Sequence, residues 1–138
     1  SMKEALLTIT TQQDEHDEPV SFTTRTKCEE TEQGIKFDYE ENLSEEDDAV
    51  STSLLISNDS ILVERKGESG GDMFFKDAAT YETKYRAYGG LSLGMQIFTT
   101  SLDIKKDDSG IRATIDYQLF LEGTSVGRVG MDIKAEFL

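Results

Sequence analysis

From Ile111 to Leu121 every second residue is apolar: Ile111, Ala113, Ile115, Tyr117, Leu119 and Leu121. The residues between them, Arg112, Thr114, Asp116, Gln118, Phe120 and Glu122, are polar with one exception. A helix cannot gather that set on one side, because its faces recur every 3.6 residues rather than every two. A strand with one buried and one wet face can, and this is the pattern of antiparallel sheets. Val129, Met131, Ile133, Ala135 and Phe137 repeat the alternation, and Glu122-Gly123-Thr124-Ser125 supplies the hairpin turn between the two strands.

The pattern extends toward the N-terminus. Leu91, Leu93, Met95 and Ile97 share one phase, whereas Phe98, Leu102 and Ile104 share the other, which predicts a bulge or bend near Ile97-Phe98. Lys106-Asp107-Asp108-Ser109-Gly110 closes the following hairpin. Long strands are thus expected near 90–104, 110–122 and 125–137. Shorter alternating or apolar runs lie at Leu7–Thr11, Val20–Cys28, Ile35–Tyr39, Leu54–Ile56, Ile61–Val63 and Met73–Phe75. Only Asp77–Glu82 suits a helical turn. About nine antiparallel strands with essentially no helix, long and bent, point to an all-β barrel. With 138 residues the chain is expected to form one domain over 1–138, Ser1 ahead of Met2 being a cloning scar.

Acids outnumber bases 28 to 14, and the first 48 residues hold 15 acids against four bases. A surface so negative repels nucleic acid and anionic membranes, so neither is expected as a partner. No apolar run approaches the ~20 residues of a membrane helix, the N-terminus has no signal-like segment, and the expected location is cytoplasmic. A single cysteine and a single histidine exclude a disulfide framework, a thiolate zinc site and any pair of imidazole ligands. Cys28 shares the phase of Phe22, Thr24 and Thr26 and is expected to be a small buried hydrophobe. His16 lies in an acidic stretch expected to be a solvated loop. Asp38–Asp48 carries seven acids and no base, without the spacing of a calcium loop, and is expected to be a wet connection. No catalytic residues, metal ligands or cofactor site emerge.

Two charges break the inward phase. Alternation that buries Ile61 and Val63 turns Arg65 inward, and the run Ile35-Phe37-Tyr39 does the same for Glu41. Both fall at strand ends, where a barrel has its mouth. An Arg65–Glu41 ion pair plugging a filled barrel and a polar anchor for a small acidic or amphipathic ligand both satisfy the pattern, since a guanidinium is a fork of donors matched to carboxylates. Phe75, Tyr81, Tyr85 and Tyr88 lie near the glycine-led turn. Most of them suit a core, and tyrosines also suit the rim of a pocket.

Tyr39-Glu40-Glu41, Ile61 to Gly67, Met73-Phe74-Phe75, Tyr85-Arg86-Ala87-Tyr88-Gly89-Gly90-Leu91, and Gly110-Ile111 through Tyr117-Gln118-Leu119 to Gly123 together span nearly all of the chain from Ile35 onward. In order and spacing they resemble the YwiB-like family of small bacterial proteins of unknown function. The chain departs from that pattern at Ala87, where a proline usually precedes the aromatic–glycine pair. The resemblance implies a lipocalin-like (calycin-like) barrel and no established activity. The expected function is therefore binding of a partly apolar, anionic small molecule, with Arg65, Tyr88, Tyr39, Glu41, Phe75 and Tyr85 as contacts. The alternative is a protein-interaction module that uses the acidic N-terminal half or a strand edge to dock a basic partner. The sequence leaves the oligomeric state open.

Overall fold

The computed structural model describes residues 2–14, 17–42, 49–87 and 89–138. His16, the 43–48 part of the acidic run and Tyr88 lie outside the described residues. Ten antiparallel strands form one sheet: β1 (Met2–Gln12), β2 (Val20–Glu30), β3 (Ile35–Glu41), β4 (Val50–Ile56), β5 (Ser60–Lys66), β6 (Met73–Lys76), β7 (Thr80–Arg86), β8 (Ser92–Asp107), β9 (Gly110–Leu121) and β10 (Thr124–Phe137). Their spatial order is β6-β5-β4-β3-β2-β1-β10-β9-β8-β7, so the first and last strands pair in the middle of the sheet. The two ends curl toward each other into a nearly closed barrel. At the seam Gly70 and Arg86 exchange backbone hydrogen bonds of 2.7 and 2.8 Å, and the Phe74 and Tyr81 rings meet at 5.8 Å.

The expected hairpins form. Glu122 and Gly123 both take positive φ, 48° and 77°, which is the two-residue turn whose twist matches the strands it joins. Asp107 accepts hydrogen bonds from the Ser109 hydroxyl (2.6 Å) and from the backbone N–H groups of Ser109 (2.8 Å) and Gly110 (3.1 Å), which holds its carboxyl below the usual carboxylate range.

Three local expectations need correction. The phase change in β8 falls between Thr99 and Ser101, not at Ile97-Phe98. Phe98 keeps to the outer face while Thr99 follows Ile97 into the core, fully buried. Leu91 precedes β8 and is 59 % exposed. The expected helical turn near Asp77–Glu82 is instead a tight turn, with Ala78 at φ 62°, that opens directly into β7 and brings the strands to ten.

Every strand sends side chains inward. Leu7, Phe37, Leu54, Ile61, Phe75, Ile97, Ile115 and Ile133 are completely buried in one continuous cluster. Phe75 of β6 and Tyr117 of β9 meet across the interior at 4.9 Å between ring centroids. The barrel's interior is occupied by its own side chains.

Candidate functional site

Register places the polar end of the barrel. The β4–β5 hairpin pairs Ile56 with Ile61, which sets Thr52 opposite Arg65, and the β3–β4 ladder sets Tyr39 opposite Thr52. Tyr39, Thr52 and Arg65 therefore form one inward row, with Glu41 two residues beyond Tyr39. The Arg65 Nε donates to Glu41 Oε1 at 2.9 Å, Nη2 approaches Oε2 at 3.5 Å, and Nη1 donates to the Gly71 carbonyl at 3.1 Å. The Thr52 hydroxyl also donates to Glu41 Oε1, at 3.0 Å. The two charged side chains are 14 % and 12 % exposed, so this pair is largely removed from water.

Neighbours extend the network. Asp72 Oδ1 accepts the Arg65 backbone N–H at 3.0 Å, and Arg86 Nη2 donates to the Arg65 carbonyl at 3.2 Å. Arg86 Nε is buried with no hydrogen-bond partner among the described residues. Burial works against the Arg65 charge, but the hydrogen bond and the charge of Glu41 outweigh it and raise the guanidinium pKa further. Burial pushes the Tyr117 phenol up to about 12, with Arg65 pulling the other way. Burial, reinforced by Glu41, also raises the Tyr39 phenol. Both phenols stay protonated at neutral pH, and the guanidinium is held by partners of its own chain.

Arg65, Glu41 and Tyr39 thus come together as the phase argument anticipates. Phase and hairpin register could also have found Thr52 and Tyr117. Gly71 and Asp72 reach the network from the β5–β6 turn, and Arg86 reaches it across the barrel seam, which no local pattern announces. Phe75 is fully buried against Tyr117, and Tyr85 packs half-buried against the core. Cys28 is 2 % exposed, and burial raises its thiol pKa, which suits a packing role. Among the described residues no cluster of three or more His, Cys, Asp or Glu is arranged to hold a metal. No described helix is long and apolar enough to cross a membrane, a statement that does not bear on strands.

Beside this end the barrel wall parts. β2 and β3 pair only from Lys27 with Asp38 to Glu30 with Ile35, four residue pairs, although β2 begins at Val20 and β3 runs on to Glu41. The Thr26 hydroxyl donates to the Asp38 carbonyl at 2.7 Å, where the next backbone pair would begin. Beyond that point the β3-facing edge of Val20–Thr26 has no backbone partner among the described residues. A groove of ≈ 900 Å³ runs over the parted strands and reaches Tyr39 and Thr52, with Glu4, Arg25 and Lys27 on one wall and Lys36, Asp38 and Glu40 on the other. Phe22 and Tyr39, 6.0 Å apart, meet beneath the parting.

Elsewhere the fold gathers three cations that are scattered in sequence. Lys105, Arg112 and Lys134 stand directly opposite one another across β8, β9 and β10. Each meets a carboxylate of its own face: Asp103 at 3.8 Å, Asp132 at 3.1 Å and Glu136 at 3.0 Å. The row is neutralised in place and offers little to a polyanion.

A protein-family profile described as "Domain of unknown function (DUF1934)" matches residues 6–133. Among solved structures, the ywiB protein from Bacillus subtilis is similar over 99 % of this chain and 93 % of that one, with a TM-score of 0.83 and 22 % identity. That likeness establishes a shared fold. No curated protein matches the chain.

Proposed function

The chain belongs to the DUF1934 family, whose description assigns no activity, and we propose that it acts as a non-enzymatic binding module that pairs a strand of a protein partner along the open edge of β2. The observation that carries this reading is the short β2–β3 ladder, which leaves the β3-facing edge of Val20–Arg25 without a backbone partner among the described residues. Unpaired strand N–H and C=O groups are a template for another strand, and proteins that do not use such an edge usually blunt it with charge or cover it. The rest of β2 is held by β1 from Val20 opposite Thr11 onward, so the edge is presented ready-made. A photo-crosslinking residue at Thr23, on that edge, is expected to trap protein adducts in cells. The same residue at Thr114, in the doubly paired β9, should trap none. Equal labelling from both positions, or none from Thr23, would refute the reading.

The groove itself favours a second reading. Charges of both signs line both walls, Arg25 paired with Glu4 and Lys36 with Asp38, over a floor containing Tyr39, a setting suited to a small amphipathic or zwitterionic molecule. The filled interior and the occupied donors of Arg65 weigh against a cargo stored inside the barrel. Native mass spectrometry of freshly purified protein discriminates: a bound small molecule, released by Lys27→Ala in a folded protein, would favour this reading.

A further inference from the structure

We propose that the strand accepted by the open edge of β2 is β2 of a second copy of this chain, giving a dimer whose sheets are continuous across Ser21–Arg25. The inference rests on the reading of β2 as a docking edge and adds the identity of the partner. It begins with charge. A chain of net charge −14 resists its own copy wherever two surfaces carry acids. Val20-Ser21-Phe22-Thr23-Thr24-Arg25-Thr26 contains no acid, and its first five residues contain no charge at all.

The edge is also self-complementary. Antiparallel pairing centred on Thr23 sets Thr23 against Thr23 of the second copy, Phe22 against its Thr24 and Ser21 against its Arg25. Ser21–Arg25 find a partner along the free edge, Thr26 being 3 % exposed with its hydroxyl on the Asp38 carbonyl, and Arg25 never meets its own counterpart. On the outer face Thr8 and Thr23 already bond through their hydroxyls at 3.0 Å, and Thr10 and Ser21 at 2.8 Å. The Thr23 pair of the dimer extends that hydroxyl ladder, a favourable cross-strand combination. Val20, 73 % exposed in the single chain, would gain cover at the end of the paired segment. The entropy of ordering the edge is already spent in the β1–β2 ladder.

Mass measurement by light scattering across a concentration series tests the proposal, with a short thiol cross-linker as the position probe. The chain is expected to reach twice its 15.4 kDa mass. A Thr23→Cys variant carrying Cys28→Ser should cross-link to itself, whereas Thr114→Cys in the same background should not. Thr23→Glu sets two carboxylates face to face and is expected to weaken the dimer about tenfold or more. Val20→Glu, at a more exposed position, is the second variant should the first fail to fold, and circular dichroism checks both. A dimer indifferent to both substitutions would overturn the assignment of β2. A chain monomeric at every concentration, with Thr23 trapping other proteins, would overturn the homotypic partner and leave the docking edge standing. A monomer that traps nothing would overturn both.

Discussion

A guanidinium removed from water needs acceptors for its donors, and Arg65 finds them for three of its N–H groups in Glu41 and Gly71. The two halves of the pair are therefore unequal as targets. Glu41→Ala leaves a desolvated cation without its counter-charge and is expected to cost about 3–5 kcal/mol in urea unfolding. Arg65→Met fills the same space without a charge and should be neutral or stabilising, the long side chain replacing the stem that packs there. Equal losses from the two variants would show that the pair contributes net stability rather than plugging the barrel end. The phenol of Tyr117 gives an independent readout. Its folded pKa, about 12, lies above the ordinary value of 10.0, so the folded state holds the proton more tightly than the unfolded chain. The stability this represents is complete below pH 10 and is lost as pH rises through the folded value. Tyr117→Phe should thus blunt the fall in stability between pH 10 and 12, measured by denaturant midpoints on that side.

Strands carry the next set of expectations. Ile115 is fully buried in β9, whereas Gln118 faces the other way. Ile115→Ala should cost about 2–5 kcal/mol, through lost burial and a residual cavity, and Gln118→Ala should stay within about 0.5 kcal/mol. Gly110 opens the same strand with its Cα against the Ala135 carbonyl, where an added methyl has no room. Gly110→Ala should lower the thermal midpoint although φ there is unremarkable. These positions were legible because β9 lies between two strands along its length, so a period of two maps directly onto inside and outside. The inward turn of Arg65 and Glu41 was legible because β4 pairs with both strands at those positions and keeps their alternation in phase. The bulge in β8 was misplaced because Phe98 looks like a core residue. Its neighbour Thr99 goes inside instead, with a hydroxyl that finds no partner among the described residues. Threonine in a core run gives no hydropathy signal. Nor does the parting of β2 from β3, since Val20–Thr26 has the composition of any paired strand, and whether a second neighbour arrives is decided by the rest of the sheet.

At the scale of the molecule, the pairing of β1 with β10 ties the ends of the sequence together. Ala5 stands opposite Phe137, and the Leu138 N–H donates to the Glu4 carbonyl at 2.9 Å. A circular permutant that joins the termini through a short glycine linker and opens the chain between Asp108 and Ser109 is expected to fold to the same far-ultraviolet spectrum. Failure to fold would show that the β8–β9 turn is needed to start assembly. Every other ladder joins strands consecutive in the chain, so the β1–β10 contact spans nearly the whole sequence and carries the largest single loop-closure cost of folding. A ribosome delivers β1 first and β10 last. During synthesis the flank of β1 that β10 will occupy waits uncovered, and the barrel can shut only after β10 has cleared the exit tunnel. Closure of the barrel therefore waits on the synthesis of β10, however early the consecutive hairpins pair. Until then a growing half-sheet carries an unpaired flank, and the 15 acids against four bases of the first 48 residues set two such half-sheets to repel each other.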